Sequence, residues 1–180
     1  IYVDQAIVAG CAGGTFDNIM AVADILNNKS IGNGSFTMSI DPGSQPAYLE
    51  LVKNNSISKL MEAGVLIRSA FCGPCFGAGD TPANGELSIR HTTRNFANRE
   101  GSKPGEGQIS SVALMDARSI AATAANGGKL TEATKLNISY SKPAYYFNKS
   151  VYDKRIYDGF GRADAETELI LGPNIKDWPE

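Results

Sequence analysis

The sequence lacks several features that mark particular classes of protein. No apolar run approaches the roughly 20 residues that a membrane-spanning helix needs, and the chain has no signal-like start. Basic side chains are not in excess, because 17 Lys and Arg residues stand against 19 Asp and Glu residues, for a net charge of -2. Proteins that bind nucleic acids usually show a basic excess. We therefore expect neither a membrane nor a nucleic acid as a partner.

Cysteine is scarce as well. Three cysteines are an odd number and too few for a disulfide scaffold, so we expect a reducing compartment, the cytoplasm, for this protein. Apolar residues make up 42% of the chain and charged residues 20%, which is typical of a soluble globular domain and argues against a fibre or a disordered chain. At 180 residues the chain is long enough for one domain with its own core.

Short apolar runs alternate with helical patterns over most of the chain. We predict strands at residues 5–9, 35–40, 65–71, 86–91 and 112–115, and helices at 16–26, 46–53, 56–63 and between Asp116 and Gly128. Thr15, Ser56 and Asp116 are the expected N-caps of three of these helices. Because strands separated by helices pair in parallel, the pattern predicts an α/β fold with an open, mainly parallel sheet.

The amino-acid composition changes in about the last quarter of the sequence. Residues 135–171 contain five tyrosines and mixed charges, and we expect this tail to pack on the domain formed by residues 1–134. Its acidic side chains offset its lysines and arginines, which argues against an RNA-binding surface. Residues 172–180 contain Gly172-Pro173 and Trp178-Pro179, and we expect them to start a linker to a further C-terminal domain. The chain therefore reads as a piece of a longer protein.

All three cysteines follow predicted strands. Cys72 and Cys75 form a C-x-x-C pair after the third strand, and Cys11 follows the first. Since the carboxyl ends of parallel strands share one edge of a sheet, we expect the three thiols to converge there. Glycines surround them, as a backbone that folds closely around a bulky group requires. The alternative is that all three are buried, small hydrophobic side chains.

Three thiolates leave a metal site one ligand short, and two completions are open. His91, the only histidine, would close a Cys3His zinc site. Alternatively, the thiolates hold a 4Fe-4S cluster with one iron open to a substrate, which indicates Lewis-acid chemistry instead of electron transfer. A third interpretation makes His91 a strand-end residue that is hydrogen-bonded to the backbone.

Two arginines follow the fourth strand and reach the same predicted edge of the sheet. The guanidinium groups of Arg94 and Arg99 are able to bind carboxylates in two-point fashion. Beside an open metal they would suit a substrate that bears several carboxylates. The alternative is a pair of surface arginines that form ion pairs with Asp or Glu.

Four motifs, in this order, resemble the aconitase family of iron–sulfur hydro-lyases. They are Ala9-Gly10-Cys11, Asp41-Pro42-Gly43-Ser44, Cys72-Gly73-Pro74-Cys75-Phe76-Gly77, and Arg94-Asn95-Phe96 followed by Arg99. The resemblance covers about residues 5–130. It implies a three-layer α/β/α domain around a parallel sheet, the third domain of a four-domain enzyme.

The resemblance also implies roles for individual residues. Cys11, Cys72 and Cys75 would hold the cluster through three irons, and the fourth iron would bind a hydroxy di- or tricarboxylic acid. Arg94 and Arg99 would bind the carboxylates of that substrate. In the family the acid–base groups come from other domains, including a serine of the fourth. The resemblance thus implies no catalytic residue in this piece and no activity of the piece alone.

At two positions the chain departs from the pattern of the family. There the first cysteine lies in Gly-Ser-Cys-Thr-Asn, whereas Ala12 and Gly13 follow Cys11 here. Thr93 takes the place of the Asn before the first arginine and is the substrate-binding candidate at that position. Both changes remove hydrogen-bonding groups, which leaves citrate and a related hydroxy acid open as substrates. A structural zinc module and a regulatory homologue without turnover also stay open as functions of the chain.

Overall fold

The fold is built around a parallel β-sheet. The computed structural model describes residues 1–94, 97–98, 100, 102–168 and 170–173. The strands within these residues are β1 (Gln5–Val8), β2 (Thr37–Ile40), β3 (Leu66–Ile67), β4 (Leu87–His91) and β5 (Ser111–Leu114). All neighbouring strands pair in parallel, in the order β3-β2-β1-β4-β5. The prediction of an open, parallel α/β sheet is confirmed.

Helices occupy most of the connections between the strands. They are α1 (Gly10–Gly13), α2 (Phe16–Leu26), α3 (Gln45–Lys53), α4 (Ser56–Glu62), α5 (Ala117–Ala125) and α6 (Lys149–Asp153), with single 3-10 turns at Gly73–Cys75, Pro104–Glu106 and Ala133–Lys135. Two of the predicted caps are present. The hydroxyl of Thr15 accepts the N–H of Asn18 at 3.4 Å, and the carboxylate of Asp116 accepts two N–H groups of α5. Among the described residues, none of the helices combines the length and the apolar character that crossing a bilayer demands.

The prediction that Ser56 is the N-cap of α4 is wrong. The residue at the cap position is Asn55, whose φ of 69° lies in the left-handed region. Ser56 is instead the first residue of the helix, and its hydroxyl lies in the core, 2.9 Å from the sulfur of Met20. A side chain that turns into the core cannot also accept the N–H groups of its own helix. The preceding Asn54 accepts the N–H of Ser56 through its side chain at 3.1 Å.

The third strand is much shorter than residues 65–71. It pairs with β2 only through Leu66 and Ile67, and the N–H of Arg68 makes one further bond to the carbonyl of Ile40 at 2.9 Å. On the partner side, β2 ends at Ile40 and is soon followed by Pro42, which has no N–H to continue the ladder. The chain beyond Arg68 is therefore released from the sheet and turns toward the cysteine pair.

The two faces of the sheet meet different layers. Ala6 and Val8 of β1 point into an apolar core that they share with α2, α4 and α5. On the opposite face the side chain of Arg90 donates hydrogen bonds to the carbonyls of Pro74 and Asp80, in the segment that contains the 3-10 turn after β3. This segment covers the second face. The predicted three-layer architecture is therefore confirmed, with the third layer made of this short-turn segment.

The first part of the tail packs on the domain. Leu136, Ile138 and Tyr140 are partly buried against the core, and Ser141 donates from its N–H and its hydroxyl to Asp24 at 2.8 and 2.7 Å. Later aromatic residues of the tail are largely exposed. The proposed division at residues 134 and 171 stays a prediction, and the expected linker falls mostly at positions 174–180, outside the described residues.

Candidate functional site

The candidate site lies where the direction of the sheet reverses. After β1 the chain continues to β2 and β3 on one side, whereas β4 lies on the other side of β1 and is followed by β5. Ligands of open α/β sheets bind in the crevice at such a switch point. Cys11 lies in α1, directly after β1, and Thr93 follows β4. The hydroxyl oxygen of Thr93 lies 3.3 Å from the sulfur of Cys11 and 3.6 Å from the sulfur of Cys75.

The C-x-x-C pair reaches this point from the segment after β3. The N–H of Cys75 donates to the carbonyl of Cys72 at 3.1 Å, which closes the turn and brings the two thiols together. A hydrogen bond with Cys75 is the largest cause that raises the pKa of Cys72, and Cys11 also acts on it. Cys11 and Cys72 are exposed, while Cys75 is buried. The structure thus brings together the three thiols that the sequence placed at separate turns.

Two glycines allow this close approach. Gly10 has a φ of 72°, and a Cβ at this position would lie 2.5 Å from the sulfur of Cys75. A Cβ at Gly13 would lie 1.8 Å from the carbonyl oxygen of His91, where α1 meets the end of β4. A Cβ at Gly10 would displace the sulfur of Cys75, and a Cβ at Gly13 would separate α1 from the end of β4.

An open cavity of about 240 Å³ borders the thiols. Its lining comes from the ends of β1, β2 and β3: Gly10, Cys11, Pro42, Gly43, Ala70, Phe71 and Cys72. Two cysteines therefore face one space at the carboxyl edge of the sheet. The Asp-Pro-Gly-Ser motif contributes its proline and glycine to the same wall.

Of the two predicted carboxylate ligands, only Arg94 lies among the described residues. Arg94 is exposed, and its charge favours the thiolate form of Cys72, opposing the other influences on the pKa of that thiol. The guanidinium group is therefore close enough to Cys72 for its charge to act on that thiol. Arg99 lies outside the described residues. Thr93 occupies a position between two of the thiols.

His91 does not resemble a metal ligand. Its Nδ1 accepts a hydrogen bond from the N–H of Ala117 at 3.1 Å. Burial is the main cause that lowers the pKa of His91, which favours the neutral ring. In a neutral ring with Nδ1 as the acceptor, the proton is on Nε2, so neither nitrogen offers a lone pair to zinc. This is the backbone-bonded, strand-end histidine among the three interpretations.

Asp41 was named only within the Asp41-Pro42-Gly43-Ser44 motif, with no role of its own. The side chain is fully buried, and neither carboxylate oxygen has a hydrogen-bond partner in the structure. Burial and, secondarily, the charge of Asp80 raise its pKa from 3.8 to about 6, against the opposing charge of Arg68. A proline follows it at the end of β2, so the local signal indicates a turn and gives no hint of the burial.

The sequence reasoning also missed Arg90. Its side chain is fully buried and donates from Nε to the hydroxyl of Ser88 at 3.0 Å and from Nη2 to the side-chain oxygen of Gln5 at 3.2 Å. Two further bonds, from Nη1 to the carbonyl of Pro74 at 3.1 Å and from Nη2 to that of Asp80 at 2.8 Å, reach the segment that carries the cysteine pair. The alternation Leu-Ser-Ile-Arg along β4 was the available signal, because it places a polar face opposite an apolar one.

The chemistry of the three thiols fits an iron–sulfur cluster, in which each protein thiolate binds a separate iron. Within the described residues, no three His, Cys, Asp or Glu side chains are grouped as a site for one ion. A cluster binds its thiolates on separate irons, so spaced sulfurs around a small-residue cradle suit it. Gly10 supplies the cradle, and the exposure of Cys11 and Cys72 leaves the site open on its outer side.

The sequence of this chain is similar to those of known proteins. The model of the aconitase family (aconitate hydratase) matches residues 1–122. The 3-isopropylmalate dehydratase large subunit of Clostridioides difficile is 34% identical over 137 residues, which cover 76% of this chain and 31% of that protein. The corresponding large subunit of Mycolicibacterium smegmatis is 30% identical over 135 residues, covering 74% of this chain and 30% of that protein.

A third relative matches to a similar extent. The probable 3-isopropylmalate dehydratase large subunit of Methanosarcina mazei is 30% identical over 134 residues, covering 74% of this chain and 30% of that protein. The chain thus spans about a third of the length of the curated relatives it matches. Since the family model covers well over half of the chain, and since the sheet edge carries the thiols of the motifs, this chain belongs to the aconitase family.

Proposed function

We propose that this chain is the cluster- and substrate-binding domain of an aconitase-like hydratase, which removes water from a hydroxy di- or tricarboxylic acid and adds it back. The observation that carries the proposal is the meeting of three thiols at the switch point between β1 and β4. The sulfurs of Cys11 and Cys75 lie within 3.6 Å of one hydroxyl oxygen, and the N–H of Cys75 donates to the carbonyl of Cys72.

In this proposal Cys11, Cys72 and Cys75 hold a 4Fe-4S cluster through three of its irons. When bound, the cluster supplies an open iron that acts as a Lewis acid on the hydroxyl that leaves. The remaining requirement is a site that fixes the carboxylates of the substrate, because charge builds up beside a carboxylate as the carbon loses its proton. The proposal therefore requires cationic side chains at the carboxyl edge of the sheet, where they would bind these carboxylates.

Arg94 is the first proposed cation at this edge. Its charge acts on Cys72, so a carboxylate beside the cysteines would lie within reach of the guanidinium group. Arg99 is the second proposed carboxylate ligand, on the strength of its place in the Arg-Asn-Phe motif. Thr93 is proposed to contact the substrate from the position where the family has an asparagine.

The proposed substrate is based on the names of the similar proteins and on two positions at which this chain departs from the pattern of the family. The similar proteins are named 3-isopropylmalate dehydratase large subunits. Thr93 in place of asparagine, and Ala12 beside the first cysteine, remove polar groups that citrate chemistry would use. We propose 3-isopropylmalate, or a hydroxy acid of the same size with an apolar branch, ahead of citrate.

The proposed reaction needs groups that lie elsewhere in the complete protein. Because the chain matches only about a third of each relative, the acid–base residues are proposed to come from other domains of the same polypeptide. The relatives are called large subunits, so part of the site is proposed to come from a second subunit. The isolated domain should then bind the cluster without turnover, in the cytoplasm where thiols stay reduced.

The test is an assay of the full-length protein, with any second subunit that co-purifies, after anaerobic loading with iron and sulfide. A panel of 3-isopropylmalate, citrate and related hydroxy acids is followed by the absorbance of the unsaturated product. We expect turnover with at least one acid, and a loss of about 30-fold or more in kcat/KM for Arg94→Ala, because a carboxylate loses its charged partner. Arg155→Ala, on the exposed tail, is the matched control and should leave kcat/KM unchanged.

Two outcomes would contradict the proposal in different ways. A loaded cluster without turnover on any acid would favour the regulatory homologue. Stoichiometric zinc without iron would favour the structural zinc module, which the engagement of His91 with Ala117 speaks against.

A further inference from the structure

We propose that Arg90 is the positioning residue for the cysteine pair, holding the segment of residues 72–80 against the sheet so that Cys75 meets Cys11. Arg90 would thereby set the geometry of the three-thiol site, so this proposal rests on the proposed function and deepens it. Arg90 is fully buried on β4, one residue before the strand ends. Its bonds to the segment go to backbone carbonyls, so it acts on the thiols through the segment it holds.

The contacts of Arg90 span both ends of that segment. Nη1 donates to the carbonyl of Pro74, which lies between the two cysteines, and Nη2 donates to the carbonyl of Asp80, where the segment ends. One planar guanidinium group therefore fixes two points of the backbone at once. Lysine has no such fork and would reach one of them at a time.

Arg90 is itself held in place from the sheet side. Nε donates to the hydroxyl of Ser88, and Nη2 donates to the side-chain oxygen of Gln5, which also accepts the hydroxyl of Ser88 at 2.8 Å. These partners lie on neighbouring strands β4 and β1. Because the two strands also carry Thr93 and Cys11 at their carboxyl ends, the network connects the segment with the cysteine pair to the strands that lead to the first cysteine.

The consequence concerns Cys75 more than the other two thiols. Cys75 is only 3% exposed and lies against Gly10, whereas Cys11 and Cys72 are exposed. If the two backbone bonds of Arg90 are removed, the segment opens and the sulfur of Cys75 becomes accessible. Cys11, carried by α1, stays as it was and serves as an internal reference.

The experiment measures alkylation of each cysteine by mass spectrometry in the reduced, cluster-free full chain. In Arg90→Met we expect the rate at Cys75, relative to Cys11, to rise roughly 5- to 30-fold, as expected when one or two local bonds that oppose opening are lost. Arg90→Lys should restore part of the protection. Arg118→Met, a partly buried arginine over the ring of Tyr140 on the helical side, is the matched control and should leave the ratio unchanged.

Ser88→Ala keeps the charge and the bonds to the segment while it removes one support of Arg90, and it serves if Arg90→Met does not fold. We expect a smaller but measurable rise at Cys75. An unchanged ratio in Arg90→Met, or in Ser88→Ala where that is the folded variant, overturns the inference. Iron uptake is measured in parallel: failure of the parent chain to take up iron counts against the proposed function alone, since the alkylation ratio is independent of it.

Discussion

Replacing Asp41 with asparagine should remove a pH dependence from the stability of this domain. The carboxyl group is fully buried at the end of β2 and has no hydrogen-bond partner. Burial, and then the charge of Asp80, raise its pKa from 3.8 to about 6, while Arg68 acts in the opposite direction. The folded state therefore binds this proton more tightly than the unfolded state does. The stabilisation from Asp41 is complete below its ordinary pKa of 3.8 and is lost as the pH rises through about 6.

The size of the effect follows from the displacement of the pKa. A tenfold change in an equilibrium constant is worth about 1.4 kcal/mol, so the charged form of Asp41 costs roughly 3 kcal/mol or less of unfolding free energy above pH 6. Asparagine has nearly the same shape and does not titrate. Any cost of burying its amide is the same at every pH, so only the pH-dependent part of the comparison reports on the carboxylate.

The assay is urea unfolding of the reduced, cluster-free chain between about pH 4 and pH 7.5, within the range where this carboxyl group changes its charge. The unfolding free energy of Asp41→Asn minus that of the parent chain should rise by roughly 3 kcal/mol or less across this range. Other titrating groups cancel in the difference. Asp158→Asn, at an exposed position, is the matched control and should give a difference that is flat within about 0.5 kcal/mol. A flat difference for Asp41→Asn as well would show that burial does not raise the pKa of this carboxyl group in the folded state.

Three further predictions concern the site and its supports. Gly10→Ala should abolish iron uptake, because its Cβ would lie 2.5 Å from the sulfur of Cys75. The control Gly32→Ala is also at positive φ but has open space around it, so it should lower the unfolding free energy by about 1 kcal/mol and leave iron uptake intact. Equal iron uptake in both variants would contradict this prediction. His91→Ala should leave the metal content by elemental analysis unchanged, and a loss of metal would revive the zinc interpretation. Asp116→Ala should lower the unfolding free energy by about 1 kcal/mol in urea titrations at neutral pH, because two N–H groups of α5 lose their acceptor; no loss would show that water replaces the cap.

The sequence predicted the sheet well because its signals are local. Apolar runs end at breakers, and Thr15 and Asp116 cap their helices by bonds within the next three residues. Convergence of the thiols also followed, since the ends of parallel strands share an edge whatever their order. The length of β3 did not follow, because it depends on Pro42, which comes after the end of the neighbouring strand β2, and not on the residues of β3 itself.

The least predictable parts of the site depend on contacts between distant segments. Ser56 looked like a cap, yet its hydroxyl is directed to Met20 in another helix. Arg90 looked like an ordinary strand residue, and its role rests on Pro74 and Asp80, which belong to a different connection. A local pattern contains no information about which segment will cover the second face of the sheet. The burial of Asp41 likewise depends on segments that are distant from it in the sequence.

The most direct test of the proposed cluster site is the iron and acid-labile sulfide content of the chain after anaerobic reconstitution, measured for the parent and for single serine replacements of its three cysteines. We expect about four irons and a matching amount of sulfide per parent chain, with a marked loss on replacement of Cys11, Cys72 or Cys75. A cluster that persists unchanged in Cys11→Ser would contradict the proposed site, because the thiol after β1 would then have no part in it.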